Sequence, residues 1–185
     1  MGSFSTETIL VIEKTLTEDI VNIVHEIMLE NNFTIGYDFD KFYFEDTDPD
    51  SDIDDSKWVE SETMEEALKT LEEFKQHPTG GSYSYNMDWG YNEQGQKLGY
   101  DVSVSFLSFD TKDIEAVMFS VREGVFEIAH EKELKKVFSE INKQAKVIAA
   151  TQKTDYYTED YHWLDVIEEM LSGNIHTKYK YKFTE

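Results

Sequence analysis

The stretch Ser82-Tyr83-Ser84-Tyr85-Asn86-Met87-Asp88-Trp89-Gly90-Tyr91 decides the fold, because large apolar residues alternate strictly with small or polar ones. Side chains on a β-strand point alternately to opposite faces, so this pattern predicts a strand with one buried face. The turn residues 92–95 follow, and a second alternating run then begins, with apolar positions at Leu98, Tyr100, Val102, Val104 and Phe106. The two runs predict an antiparallel β-hairpin with an aromatic inner face.

Further strands are predicted on both sides of this hairpin. After a turn at 110–113, residues 114–122 form a third strand, and Glu123-Gly124 permits a short fourth strand over residues 125–129. Four successive strands without an intervening helix indicate an antiparallel sheet. Residues 8–14 predict a buried first strand and residues 33–44 a second. Residues 176–183 alternate as on an edge strand, with Tyr179, Tyr181 and Phe183 pointing inward.

Four helices are predicted from apolar stripes at a spacing of 3.6 residues. The first runs from Thr17 to Asn31-Asn32, and the second begins with the capping box Thr63-Met64-Glu65-Glu66. A third is expected from Glu131 to about Ala149, and a fourth from Thr158 to Gly173. The stripes consist of Ile20, Ile23, Val24, Ile27 and Met28; Met64, Ala67, Leu68, Leu71 and Phe74; Leu134, Val137, Phe138, Ile141, Ala145 and Ile148; and Trp163, Leu164, Ile167, Met170 and Leu171. The order of elements predicts an α+β fold, a single-domain sandwich of four helices packed on a mostly antiparallel sheet.

Composition narrows the class of protein. A length of 185 residues with 39% hydrophobic residues fits one domain over residues 1–185. The chain has no cysteine, no basic N-terminal signal and no apolar run of ~18 residues, so we expect a cytoplasmic protein that does not enter a membrane. The formal net charge of -22 argues against direct binding to nucleic acid or to an anionic membrane, since both require clustered Lys and Arg.

Acidic residues are concentrated between the second predicted strand and the second helix. Residues 38–66 contain 13 acidic and 2 basic side chains, a net charge of -11, which is half of the chain's -22. The centre of this segment is a predicted acidic loop over residues 45–57. We predict that it binds a basic protein, with Trp58 as an apolar anchor unless Trp58 packs in the core. The predicted contact residues are Glu45, Asp46, Asp48, Asp50, Asp52, Asp54, Asp55 and Trp58.

Three other interpretations of this acidic stretch stay open. In an extended chain, alternate aspartates are spaced by roughly 6.7 Å, close to the roughly 6.8 Å of two phosphate steps along a DNA strand. That spacing would allow the stretch to mimic a nucleic acid toward a DNA-binding protein. A solvated loop without a partner is the second interpretation. Weak calcium binding is the third, although the EF-hand pattern fails because Ser51 replaces the required glycine and Lys57 the bidentate glutamate.

No catalytic constellation is found in the sequence. No two of the five histidines, His25, His77, His130, His162 and His176, have the i, i+4 spacing of a zinc-binding helix, and no nucleophile-elbow or phosphate-loop motif occurs. We therefore predict no enzymatic activity, no cofactor and no metal site. The alternative is a small-ligand-binding domain or an uncharacterised enzyme with a pocket at the aromatic hairpin, around Tyr83, Tyr85, Trp89 and Tyr91.

A small, cysteine-free, strongly acidic α+β domain with no catalytic set resembles the cytoplasmic immunity proteins of bacterial contact-dependent and polymorphic toxin systems. The resemblance is one of composition over the whole chain, and no motif of a particular immunity family is matched. It implies a one-to-one complex in which residues 45–55 face the cationic, nucleic-acid-binding surface of a toxin nuclease.

Overall fold

A computed structural model describes residues 4–13, 17–41, 57–75, 80–109, 114–154, 163–173 and 179–184. The strands are β1 Ser5–Glu13, β2 Thr34–Lys41, β3 Lys57–Glu60, β4 Gly80–Tyr91, β5 Lys97–Phe109, β6 Ile114–Arg122 and β7 Val147–Thr154. The helices are α1 Thr17–Glu30, α2 Met64–Lys75, α3 Glu123–Ala129, α4 Lys135–Gln144 and α5 Trp163–Ser172, and a π-helical turn, His130–Leu134, joins α3 to α4.

All seven strands form one sheet in the order β3-β2-β4-β5-β6-β1-β7. Each neighbouring pair is antiparallel. With α3, the π-turn and α4 counted as one continuous helical segment, four helices accompany the sheet in the described residues. The predicted α+β class is confirmed.

The predicted hairpin is confirmed as β4 and β5, with Tyr83 opposite Val104 and Tyr85 opposite Val102. Its turn needs a left-handed residue, and Gly95 supplies it with a φ of +75°. Gly99 has a φ of +145°, and a Cβ atom there would collide with the Met87 carbonyl oxygen. The close approach of the two backbones therefore requires glycine beside the register shift between Asp88 and Gly90.

The core lies on both faces of the sheet, and β1 contributes to both. Leu10 and Ile12 join the larger core, which α1, α2 and the α3–α4 segment cover. Ile9 and Val11 join a smaller core that α5 covers with Val166, Ile167 and Met170. Because both faces of β1 are buried, its residues are apolar in succession rather than alternating, as the sequence predicts for this strand.

The predicted strand over residues 125–129 is wrong, because these residues form α3. Phe126 and Ala129 are buried three residues apart, and the π-turn brings Leu134 into the same core. A short apolar run does not distinguish strand from helix by its periodicity alone.

The predicted helix from Glu131 to about Ala149 is right in its first part and wrong in its last. The helix ends at Gln144, Ala145 is extended with φ -123° and ψ 150°, and β7 follows. Ile148, expected in the apolar stripe, is 43% exposed. Pairing with β1 satisfies the backbone of residues 147–154, which include the β-branched Val147, Ile148, Thr151 and Thr154.

The remaining predicted elements are confirmed where the structure describes them, with smaller corrections; residues 42–44 of the second strand and 158–162 of the fourth helix lie outside the described residues. In α2, Ala67 and Leu71 are buried, but Met64 and Leu68 are 38% and 42% exposed, so only a narrow stripe of this helix packs. Leu171 of α5 is also exposed. Residues 179–184 form an extended segment rather than a full strand, with one bridge between Thr151 and Lys180. No described helix is long and apolar enough to cross a membrane.

Candidate functional site

The predicted contact residues Glu45, Asp46, Asp48, Asp50, Asp52, Asp54 and Asp55 lie outside the described residues. The strands on either side of them are described: β2 ends at Lys41, β3 begins at Lys57, and these two lysines are paired directly. The acidic stretch therefore connects two adjacent antiparallel strands, and β3 is the last strand at this edge of the sheet. Trp58 lies in β3 opposite Asp40, and its side chain is also outside the described part of the structure.

Helix α2 adds further carboxylates beside these strands. It packs against β2, and Thr63 Oγ1 accepts a hydrogen bond from the Glu66 backbone N–H at 3.2 Å. The Glu66 carboxylate accepts from the Glu62 N–H at 2.9 Å, so the predicted capping box is present with its return bond displaced by one residue. We call residues 57–75, which run from β3 through α2, the acidic edge. Its exposed carboxylates are Glu60, Glu62, Glu65, Glu66, Glu72 and Glu73.

The aromatic hairpin is part of the core rather than a ligand platform. Tyr83 and Tyr85 are buried, and Tyr85 Oη lies 2.7 Å from His25 Nδ1. Burial raises the pKa of both tyrosines well above the usual value. Tyr91, at the tip, is 71% exposed. The alternative prediction, a ligand pocket at the hairpin, therefore cannot use Tyr83 and Tyr85, because both side chains are buried in the core.

Trp89 and Tyr100 attach the hairpin to the π-turn through Glu133. The Trp89 indole N–H donates to one carboxylate oxygen of Glu133 and the Tyr100 hydroxyl to the other, both at 3.0 Å. Lys132 Nζ lies 4.5 Å from the Trp89 ring centre on the same turn. Burial and the Glu133 carboxylate together raise the pKa of Tyr100. Both oxygens of Glu133 are engaged with the hairpin, so this cluster has a structural role.

An open cleft of about 850 Å³ lies at the opposite edge of the sheet from β3. We call it the β7 cleft. Its floor is formed by the ends of β1 and β7, where the Thr6 and Thr154 hydroxyls are hydrogen-bonded at 2.8 Å. Helix α3 and the π-turn form its wall, with Phe126 nearly buried and Ile128 exposed. Its lining residues are Thr6, Glu123, Gly124, Phe126, Glu127, Ile128, His130, Glu131, Gln152, Lys153 and Thr154.

The wall of the β7 cleft carries three exposed glutamates at i, i+4 spacing, Glu123, Glu127 and Glu131. Glu131 is paired with Lys135 at 2.9 Å, and this hydrogen bond lowers its carboxyl pKa. Within the described part of the chain, Glu123 and Glu127 have no cationic partner. The Lys153 ammonium lies 5.1 Å from the Tyr179 ring centre. The cleft therefore has an anionic rim.

His130 closes the inner end of the β7 cleft. Its Nε2 atom lies 2.8 Å from the Tyr181 hydroxyl, and its ring stacks on Phe126 at 5.6 Å. Burial lowers the pKa of His130, opposed by the nearby Glu131 carboxylate, and burial raises the pKa of Tyr181 to about 12. Both side chains are thus neutral near pH 7 and are hydrogen-bonded to each other. The described residues contain no group of three or more His, Asp or Glu side chains arranged to bind a metal.

The sequence did not reveal the residues of the β7 cleft, because the helix of its wall was predicted as a strand and its floor residues are far apart in the chain. With residues 125–129 taken as a strand, Glu123 falls in the preceding turn and Glu127 in the strand, whereas on a helix the two lie one turn apart on one side. The floor residues come from positions near 6 and near 154, and no local pattern connects them. The helical spacing of Phe126, Ala129, Leu134 and Val137 is the signal that would have shown the wall.

Fold and surface together define an acidic α+β domain with two separate anionic regions. No family model matches the sequence, and no curated protein matches it. A comparison of structures finds one chain of the crystal structure of the toxic C-terminal tip of CdiA from Pseudomonas aeruginosa in complex with immune protein. The match has 14% sequence identity and a TM-score of 0.40 and covers 82% of this chain and 88% of that one.

Proposed function

We propose that the protein is a non-enzymatic acidic binding protein that neutralises a basic protein partner. In the specific form of the proposal it is an immunity protein that occupies the cationic surface of a toxin nuclease. The observation that carries the proposal is the concentration of charge: residues 38–66 hold 13 acidic and 2 basic side chains. The paired ends of β2 and β3 attach this stretch to an edge of the sheet, beside the exposed carboxylates of α2.

A nuclease surface must be cationic to hold phosphate, so a concentrated anionic surface is attracted to it and speeds the encounter. Charge alone contributes more to association rate than to affinity, so an apolar anchor is also needed. In this proposal Trp58, which directly follows the paired Lys57, supplies that anchor. The contact residues are then Glu45, Asp46, Asp48, Asp50, Asp52, Asp54, Asp55 and Trp58.

The test is retention of a basic protein from a lysate of the source cell, with the wild type compared against Asp48→Asn/Asp50→Asn/Asp52→Asn/Asp54→Asn. The matched control is Glu26→Gln/Glu30→Gln/Glu93→Gln/Glu169→Gln, which removes four exposed carboxylates elsewhere. We expect the wild type and the control to retain the partner at moderate salt and the aspartate variant to lose it. Association of the purified partner should be about tenfold slower for the aspartate variant at low salt.

The activity of the captured protein distinguishes an immunity protein from a nucleic-acid mimic. Nuclease activity that one equivalent of the protein abolishes supports an immunity protein. A DNA-binding protein without nuclease activity supports a nucleic-acid mimic instead. Equal loss of the partner in the aspartate variant and in the matched control would contradict the role of the acidic stretch. If the wild type retains no partner at low or at moderate salt, binding of a small ligand becomes the better explanation. The β7 cleft, rather than the aromatic hairpin, would then be the binding site.

A further inference from the structure

The β7 cleft is a second candidate binding surface, separate from the acidic edge. The two lie at opposite edges of the sheet, β7 at one and β3 at the other. Six strand spacings of about 4.8 Å separate those edges by roughly 29 Å. A ligand held in the cleft would therefore not reach β3, the strand to which the acidic stretch is joined.

The exposed carboxylates of the cleft favour a positively charged ligand. Glu123 and Glu127 lie one helical turn apart on α3, and both are exposed. Glu131 is already paired with Lys135, and Lys153 lies over Tyr179, so the first two carboxylates are the ones available to a bound cation. Two carboxylates at this spacing can share one positively charged group between them.

Apolar and hydrogen-bonding groups lie beside these carboxylates, so the cleft favours a larger cationic group over a simple ion. The Ile128 side chain is 53% exposed at the rim, and Phe126 forms the adjoining wall. The floor presents the hydroxyl oxygens of Thr6 and Thr154 and the side chain of Gln152, whose amide N–H donates to Thr8 and leaves its carbonyl oxygen as an acceptor. The volume of about 850 Å³ is large enough for a long side chain and part of its backbone.

We propose that the β7 cleft binds an arginine side chain, with an adjacent aliphatic residue, from an exposed segment of a protein partner. The planar guanidinium has five N–H donors, enough to meet the Glu123 and Glu127 carboxylates and the acceptors of the floor together. It is also more weakly hydrated than a lysine ammonium, which suits a half-enclosed cleft. The aliphatic neighbour packs on Ile128. This inference is independent of the proposed role of residues 45–55.

The probe is the synthetic peptide acetyl-Gly-Arg-Leu-Gly-amide, titrated into isotopically labelled protein while the backbone amide NMR shifts are recorded. The protein carries the four aspartate-to-asparagine changes, so that attraction of the peptide to the acidic stretch is reduced. Two further double variants are made in this background. One is Glu123→Gln/Glu127→Gln, and its matched control is Glu26→Gln/Glu30→Gln, an exposed pair at the same i, i+4 spacing on α1.

We expect saturable shift changes at the amides of Gly124, Ile128 and Thr154, with at least threefold weaker binding in the Glu123/Glu127 variant and no change in the Glu26/Glu30 control. Citrulline in place of arginine should abolish the changes, lysine should weaken them, and Ile128→Ala should weaken them without altering the spectrum elsewhere. Equal binding by both double variants, or shifts confined to residues 38–66, would overturn the proposal for the cleft. Neither result bears on whether the acidic stretch retains a partner from lysate, so the two proposals fail separately.

Discussion

The two edges of the sheet carry negative charge in different ways. At the β3 edge the carboxylates of residues 38–66 follow one another closely in sequence. At the β7 cleft they stand one helical turn apart, above a floor made by strands from the two ends of the chain. The first arrangement requires only local sequence, whereas the second exists only in the folded protein. Denaturation should therefore abolish selective binding at the cleft, while a linear anionic stretch keeps its charge density in any conformation.

The largest expected effect is on the core behind the cleft. Phe138 is fully buried and packs edge-to-face on Phe119 at 5.0 Å and on Tyr181 at 5.4 Å. Replacement by alanine leaves a cavity, so Phe138→Ala should lower the free energy of unfolding by about 3–5 kcal/mol. Urea denaturation measures this loss. A loss below about 1 kcal/mol would mean that the cleft is not built on a packed core.

A smaller loss is expected where the hairpin meets the π-turn. Glu133→Ala removes the acceptor of two hydrogen bonds, so unfolding should become easier by about 2 kcal/mol. The pKa of Tyr100 should fall, because the carboxylate that raises it is gone. Urea denaturation and absorbance titration of the phenol check the two effects. Glu133→Gln keeps an acceptor for the Trp89 indole and should lose less; equal losses in both variants would argue against the hydrogen bonds as the cause.

The pH dependence at the cleft should be smaller still. Because burial lowers the folded-state pKa of His130, the unfolded chain binds a proton before the folded protein does as pH falls. This group's contribution to stability is complete above the unfolded pKa of about 6.5 and is lost as pH falls through the folded pKa. His130→Gln removes that dependence, so the variant should gain stability relative to the wild type between pH 7.5 and 5.5. A constant difference across this range would show that His130 titrates equally in both states.

The smallest effect is expected in the acidic loop over residues 45–57. The four aspartate-to-asparagine changes should leave the free energy of unfolding within about 0.5 kcal/mol, or raise it slightly, because repulsion between carboxylates decreases. Denaturation at low ionic strength is the measurement. A large loss of stability would instead indicate a structural calcium site, and added calcium would then protect the wild type but not the variant.

The parts of the fold that the sequence predicts correctly are those with a long, unambiguous period. The hairpin alternates over two runs, and α1 has five apolar positions at helical spacing, four of them fully buried and Ile23 half-buried. The largest errors lie between 125 and 154, where α3 is short and where the stripe of α4 continues by coincidence through Ala145 and Ile148. Strand β7 depends on pairing with β1, some 140 residues away, which local periodicity does not record.

The candidate sites, like the fold, could be predicted from the sequence only where the pattern is local. The acidic stretch is visible because its charges are consecutive, and its role stays a prediction. Trp58 is located in β3, but its contacts are not described. The β7 cleft combines residues 6, 123–131 and 152–154, and only the sheet order brings them together.

The position of β1 between β6 and β7 has a consequence for biosynthesis. This strand leaves the ribosome before both of its partners, which are made more than 100 residues later; Thr6 reaches Thr154 across 148 positions. Until then the apolar segment Ile9-Leu10-Val11-Ile12 has neither neighbour in the sheet. Contacts of such high sequence separation slow folding and leave hydrophobic strands exposed to aggregation. We therefore expect this segment of the nascent chain to need protection by a chaperone, and truncation before residue 147 to yield aggregated protein.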